Sequence, residues 1–93
     1  VQWLIYPDAT GYGKVIAWTH ADYPKYVFVA NLDTENDIIN FAIPMIKNME
    51  NTALQLEFST VGNISESDKI TKFNGRHYNV TSIKKGECRV YRI

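Results

Sequence analysis

A chain of 93 residues with 45% hydrophobic and 22% charged side chains has the composition of one ordinary globular domain, which excludes intrinsic disorder. Its formal net charge is zero, so no overall field draws nucleic acid or an anionic membrane, and no apolar run approaches the ~20 residues that cross a bilayer. The single cysteine, Cys88, excludes a disulfide within the chain. A disulfide-free chain is allowed both in a reducing compartment and as a secreted domain, and we slightly favour the cytoplasm.

The chain begins at Val1, without an initiator methionine and without the pattern of a signal peptide. Because its first residues already form an apolar segment, we predict one domain, 1–93, cut from the C-terminal part of a larger protein, with 1–12 as a candidate junction to a preceding domain. Acids outnumber bases nine to three in 1–68, whereas 69–93 holds seven bases and one acid. We expect the basic last strands to pair with acidic earlier strands.

Apolar runs between polar turns predict four strands in the first half of the chain, at 2–6, 14–20, 25–33 and 38–46. The last of them contains Pro44, which cannot donate a ladder hydrogen bond, so this strand should lie at a sheet edge or end there.

The segment 25–33 is the most β-prone run and should be the central strand, because both of its faces are apolar. Alternation directs Val27 and Val29 to one face and places Phe28 on the other. We therefore expect Phe28→Ala to destabilise the fold more than Phe41→Ala, since Phe41 lies on the proline-limited edge strand.

The second half of the chain predicts further short strands. Segment 53–60 has a two-residue period that would bury Leu54, Leu56 and Phe58 on one face. After a long polar connection at 61–68, a hairpin is predicted at 69–80 around Asn74-Gly75, and the last strand covers 87–93. A polar turn at 47–52 could contain one short helical turn. Seven or eight short strands without a long helical pattern predict an all-β sandwich or barrel.

Polar constellations give no catalytic, metal or cofactor site. Residues 33–37 alternate oxygen ligands as calcium loops do, but Ile38 and Pro44 stand where an EF-hand needs glycine and glutamate, so we interpret the segment as a polar turn. The nitrogen and sulfur candidates are not spaced as zinc ligands, and we expect Cys88 to be a buried core thiol. We interpret the carboxylates that could serve glycoside hydrolysis as solvated; they are Asp33, Glu35, Asp37, Glu57, Glu66 and Asp68.

Aromatic residues are the most suggestive feature, because six of them crowd into the first 26 residues. Exposed rings can stack on sugars, which makes Trp3, Trp18 and Tyr23 candidates for carbohydrate binding, although aromatics more often pack in cores and interfaces. The apolar run at the candidate junction instead predicts a docking surface for a neighbouring domain; its residues are Trp3, Leu4, Ile5 and Tyr6.

Two segments carry a family resemblance: KVIAWTH at 14–20 and YVFVANLD at 26–33, separated by a short loop. They resemble the opening of the C-terminal β-domain of α-amylase-type enzymes, glycoside hydrolase family 13, in which a strand like "vlaftR" precedes one like "vlVvvNls". His20 stands where that family commonly has an arginine. The closing segment, KGECRVYRI at 85–93, is similar to the last strand of the family's β-domain, where a glycine turn leads into an apolar strand.

The resemblance implies an antiparallel Greek-key β-sandwich that follows a catalytic (β/α)₈ barrel of the same parent chain. In that family the catalytic carboxylates all belong to the barrel, so this chain would be a non-catalytic accessory domain of a glycosidase or transglycosidase acting on α-glucans. Its role would be to pack on the barrel and stabilise it.

Three other functions are compatible with the residues. The chain could be a carbohydrate-binding module, an immunoglobulin-like or fibronectin-like domain that binds protein, or a barrel that binds nucleic acid through its basic last third. Exposure of the tryptophans would favour the first, an uncovered apolar strand edge the second, and a contiguous basic groove the third.

Overall fold

The computed structural model of the protein describes residues 1–5, 14–22, 25–44, 53–71, 73–75 and 77–93. These residues contain one helical turn, α1 (Glu66–Lys69), and nine strands: β1 (Gln2–Ile5), β2 (Val15–Thr19), β3 (Tyr26–Asn31), β4 (Ile38–Pro44), β5 (Leu54–Ser59), β6 (Ile70–Thr71), β7 (Phe73–Asn74), β8 (His77–Ile83) and β9 (Cys88–Arg92). The fold is all-β, as predicted. The turn predicted at 47–52 lies outside the described residues.

The strands form two antiparallel sheets, one in the order β1-β2-β3-β9-β5-β6 and the other in the order β4-β8-β7. This order is compatible with a Greek key. The prediction that 25–33 holds a central strand is confirmed, because β3 pairs with β2 on one side and with β9 on the other. The edge position of β4 is confirmed as well.

The hydrophobic core lies between the two sheets. The six-stranded sheet contributes the inward-facing residues Leu4, Ile5, Val15, Ala17, Val27, Val29, Leu54 and Tyr91, and the three-stranded sheet contributes Phe41, Ile43, Tyr78, Val80 and Ile83. Alternation along β3 sends Val27 and Val29 into this core and leaves Phe28 on the outer face, where it is only partly buried. Phe41, by contrast, is 2% exposed.

The hairpin predicted around Asn74-Gly75 is present, but its turn is displaced by one residue. Asn74 belongs to β7 and pairs with His77, and Gly75, which follows it, has a φ of 71°. Glycine tolerates this left-handed conformation without steric cost, which suits it to a hairpin turn.

Helical turn α1 lies where the sequence predicts only a polar connection. The signal that could have revealed it is Ser65 followed by Asp68 three positions later, which is the spacing of a capping box. In the structure the Asp68 N–H donates to the Ser65 carbonyl oxygen at 2.9 Å, while the Asp68 carboxylate turns away to another partner.

A cluster of buried charges lies inside the sandwich. The Arg89 side chain points inward from β9, and its Nε donates to Glu87 Oε2 at 2.6 Å while its Nη2 donates to Glu87 Oε1 at 3.2 Å. The Nη1 atom donates to the Tyr91 hydroxyl at 3.1 Å and lies 3.6 Å from Asp68 Oδ2. Burial alone would lower the pKa of Arg89, but hydrogen bonding to Glu87 raises it, and the net shift is upward, so the guanidinium stays charged.

Asp68 joins this cluster to the second sheet. Its Oδ1 accepts the Thr81 N–H at 2.7 Å and its Oδ2 accepts the Ser82 N–H at 3.2 Å, so a carboxylate stands where a neighbouring strand would otherwise bond β8. The Tyr91 hydroxyl donates to the Asp68 carbonyl oxygen at 2.8 Å. The expectation that Asp68 is solvated is therefore wrong, since its partners compensate for burial.

Basic residues of the last strands do pair with acidic residues of earlier segments. Arg92 lies 3.0 Å from Glu57 and Lys84 lies 3.6 Å from Asp37, in addition to the buried pairing of Arg89 with Asp68. These three pairs offset part of the uneven charge along the sequence.

The two phenylalanines should differ in stability cost in the direction opposite to the sequence expectation. Phe41→Ala opens a cavity in the core and should lower the free energy of unfolding by about 3–5 kcal/mol. Phe28→Ala removes a partly exposed ring and should cost about 1–2 kcal/mol. Urea denaturation of both variants measures the difference; equal midpoints would contradict the burial described above.

Arg89→Met should lower the free energy of unfolding by about 3–5 kcal/mol, because it leaves the buried carboxylates of Glu87 and Asp68 without their cation. Arg92→Met is the matched control: its ion pair with Glu57 is half exposed, so the cost should be at most about 1 kcal/mol. Chemical denaturation compares the two, and similar costs would show that the buried cluster contributes nothing special.

Tyr91 should make the fold sensitive to alkali. Burial raises the pKa of Tyr91 to about 12, against a reference value of about 10. A folded-state pKa above the unfolded one gives stability that is fully present below pH ~10 and is lost as the pH rises toward 12. Urea denaturation between these limits should therefore show a steeper loss for the native chain than for Tyr91→Phe. Tyr26→Phe, at an exposed position, should retain the native slope.

Candidate functional site

An apolar row crosses the outer face of the six-stranded sheet. Trp3 pairs with Trp18 across β1 and β2, and Trp18 pairs with Phe28 across β2 and β3. Val90 continues the row on β9 opposite Phe28, and Phe58 completes it on β5. We call these five residues, which stand in register on five adjacent strands, the aromatic ladder.

The rings of the ladder pack against one another. The Trp3 and Trp18 ring centroids are 5.8 Å apart at an interplanar angle of 61°, an edge-to-face contact. The Trp18 and Phe28 centroids are 5.5 Å apart at 17°, an offset stack. Both distances between ring centroids are close to the distance between the Cβ atoms of directly opposed residues on neighbouring strands. One face of the Trp18 ring is therefore covered by Phe28, and the opposite side meets Trp3.

The aromatic ladder is open to solvent along its length. Four of its members are partly buried, and Phe58, at the far end, is 58% exposed. The Trp18 and Phe28 rings stand face to face and offer mainly their edges to the outside, so this part of the ladder forms an apolar ridge. A contiguous and partly exposed apolar surface of this kind is a candidate interaction site.

Polar residues border one side of the ladder. Tyr26 and Gln55 lie opposite Arg92 on the neighbouring strands, and the Arg92 guanidinium donates to Gln55 Oε1 at 2.7 Å. Arg92 Nε also lies 3.0 Å from Glu57 Oε1, so the charge on this rim is compensated within the sheet. The other side is bordered by Ile16, Ala30 and Cys88. Cys88 is exposed on this face, so the expectation that it lies in the core is wrong.

The structure brings together two of the predicted site residues and separates others. Trp3 and Trp18 are in contact on the outer face. Leu4 and Ile5, predicted to dock on a neighbouring domain, are 7% and 3% exposed and belong to the chain's own core. The remaining candidates, Tyr6 and Tyr23, lie outside the described residues.

Sequence reasoning missed Phe28 and Phe58 as parts of a site. Phe28 could have been found, since its face of the central strand is apolar and lies in phase with the outward-facing residues. Phe58 could not, because the two-residue period of β5 places it with Leu54 and Leu56. The register shifts between Leu56 and Phe58, and this bulge turns Phe58 to the outer face.

The polar loop at 33–37 is a turn, as the sequence indicates. Asp33 Oδ1 accepts the N–H groups of Glu35 at 2.9 Å and Asn36 at 3.1 Å. The Glu35 N–H bond holds the pKa of Asp33 below its ordinary value, so this carboxyl is not tuned to act as a general acid. Across the described ranges, no three or more His, Cys, Asp or Glu side chains come together as a metal site would require.

Asn31 anchors this turn to the connection between β8 and β9. Its Oδ1 accepts the Asp33 N–H at 2.9 Å, and its Nδ2 donates to the carbonyl oxygens of Asn36 at 3.0 Å and Lys84 at 3.2 Å. The residue is 1% exposed. A buried asparagine in this position orders the strand end and does not face a ligand, which explains why an Asn-Leu pair follows the apolar strand.

None of the helices in the described segments has the length and hydropathy of a membrane span. Comparison of the chain with protein families, curated proteins and solved structures finds no match.

Proposed function

We propose that the chain is a non-catalytic accessory β-sandwich domain that packs on a catalytic domain of the same parent chain. Following the sequence resemblance, that neighbour is a (β/α)₈ barrel of an α-amylase-type glycosidase or transglycosidase that acts on α-glucans. The accessory domain stabilises the barrel by covering apolar surface, and the barrel supplies all the catalytic carboxylates.

The observation that carries this proposal is the aromatic ladder. A row of Trp3, Trp18, Phe28, Val90 and Phe58 leaves apolar side chains in water across most of one sheet. Covering them with a neighbouring domain removes this area from water at about 25 cal/mol per Å². The opposite face of the same strands already packs on the chain's own core, so the ladder is the face left for a partner.

The ring arrangement favours docking over sugar stacking. A stacking platform needs an aromatic face open to solvent, with hydrogen-bonding groups beside it. The Trp18 face is instead covered by Phe28 at an interplanar angle of 17°. Glu57, on the same strand as Phe58, already pairs with Arg92 at 3.0 Å. An immunoglobulin-like domain that binds a separate protein would use the same surface.

The charge distribution gives no support to nucleic-acid binding. Several bases of the last third of the sequence already have acidic partners: Lys84 lies against Asp37, Arg89 against Glu87 inside the core, and Arg92 against Glu57. A protein that binds the phosphate backbone needs several such cations directed outward on one face.

The isolated chain should self-associate through the exposed ladder. Sedimentation velocity at increasing concentration should reveal dimers, and Phe58→Ser should weaken association by roughly tenfold because it removes the most exposed apolar ring of the ladder. Ile39→Ser is the matched control, since Ile39 is 66% exposed on the other sheet and should leave association unchanged.

The alternative function, in which the aromatic ladder binds sugar, is tested in the same samples. Tryptophan fluorescence should not respond to maltoheptaose if the ladder is a docking surface. A saturable change that disappears in Trp18→Ala would overturn the proposal and favour a carbohydrate-binding module. Equal association of native chain and Phe58→Ser would also contradict docking at the ladder.

A further inference from the structure

The two long strands of the second sheet both lose their alternation at the same point. On β4 the residues that pack in or against the core, Ile38, Phe41 and Ile43, are separated by three and then two positions. On β8 the core residues Tyr78, Val80 and Ile83 are separated by two and then three positions. Ile39 pairs with Ser82 and Phe41 pairs with Val80, with Asn40 and Thr81 left between them. The ladder between β4 and β8 therefore opens at Asn40 and Thr81.

This opening is held in place by specific backbone features. Asn40 has a φ of 53°, in the left-handed region that non-glycine residues seldom adopt. On the opposite strand, the Thr81 N–H donates to Asp68 Oδ1 at 2.7 Å. Irregularities in strand pairing and residues with strained backbone change the direction of nearby side chains, and both are over-represented beside functional sites.

The result is a cleft of about 350 Å³ on the face of the second sheet that points away from the core. Its described lining consists of Asn40, Phe41, Ala42, Asn79, Val80 and Thr81. Polar groups therefore stand around an apolar floor, and no charged side chain lines the cleft within the described residues. We call this feature the amide cleft.

The polar groups of the amide cleft are available to a ligand. Asn40, Asn79 and Thr81 are all exposed, and the carboxamides of Asn40 and Asn79 make no hydrogen bond within the described part of the chain. The Thr81 hydroxyl lies 3.0 Å from the Ser67 hydroxyl, which orients it while leaving acceptor capacity.

We propose that the amide cleft is a binding site for an uncharged sugar. A carboxamide offers a donor and an acceptor side by side, which matches two neighbouring hydroxyl groups, and two carboxamides with a hydroxyl can satisfy several sugar hydroxyls at once. The Ala42 methyl gives an apolar patch for the C–H groups of the ring. A volume near the lower end of the ~300–1,000 Å³ range of small-molecule sites suits one or two sugar rings. This inference does not depend on the aromatic ladder, which lies on the other sheet.

The absence of lining charge in the described residues also sets the specificity that we expect. A phosphorylated or carboxylated sugar gains no ion pair in the amide cleft and loses part of its hydration, so it should bind more weakly than its neutral counterpart. A neutral sugar held by a few solvent-accessible hydrogen bonds should bind with a dissociation constant on the order of millimolar.

The test is a titration of the isotope-labelled chain followed by amide and side-chain carboxamide NMR shifts. The probes are glucose, galactose, mannose and maltose, each raised to about 50 mM, with glucose 6-phosphate and glucuronate as charged counterparts. At least one neutral probe should give saturable shifts centred on Asn40, Ala42, Asn79 and Thr81. If none of the four does so, or if the shifts centre on Trp18, the proposal is overturned.

Substitutions of the two asparagines test whether their carboxamides bind the sugar. Asn40→Gly keeps the left-handed backbone while removing the amide, and Asn79→Ala changes an exposed strand position, so both should fold. Each should weaken the neutral sugar by roughly tenfold, the equivalent of one hydrogen bond. Asn63→Gly is the matched control, because Asn63 is also exposed with a φ of 57° but does not line the cleft. Equal affinity in Asn40→Gly and Asn63→Gly would contradict the proposal.

Discussion

The guanidinium of Arg89 is the constraint on which the arrangement of both sheets depends. It is 3% exposed, and it is surrounded by oxygen atoms from Glu87, Tyr91 and the Ser82 carbonyl. A buried charge is tolerated only when its partners stand in the right geometry. Because Ser82 belongs to the second sheet and the other partners to the first sheet and its connecting turn, the cluster is satisfied only when the two sheets are correctly aligned.

The same cluster positions the two outer faces. Alternation along β9 means that inward-facing Arg89 fixes Val90 as outward-facing, which places the aromatic ladder on the opposite side of the sheet. On the other sheet, Asp68 bonds Thr81 and Ser82 at the point where β8 opens away from Asn40. The proposed docking surface and the proposed sugar site are thus both secured from inside by polar contacts.

The sequence predicts those features of the fold that depend on the local pattern of residues. Alternating apolar residues identify β3 as central, Pro44 marks an edge, and Asn74-Gly75 marks a hairpin. The wrong expectations concern strands in which a local irregularity changes which side chains face the core. Phe58 turns outward after a bulge in β5, and the pairing of β4 with β8 is interrupted at Asn40. Such irregularities depend on partners that are distant in sequence, as in the hydrogen bonds from β8 to Asp68. The local sequence pattern therefore does not predict them.

Cross-strand spacing explains why dense aromatics on neighbouring strands favour docking. Directly opposed side chains on adjacent strands stand about 4.5–5.5 Å apart, too close for two large rings to lie flat on the sheet. Trp18 and Phe28 are opposed in this way, so their rings must stand upright and cover each other, as their offset stack shows. A flat sugar platform would need its rings separated by at least one strand with a small residue. In this chain Trp18 and Phe28 occupy successive strands, and the edges of their stacked rings are suited to an apolar partner surface.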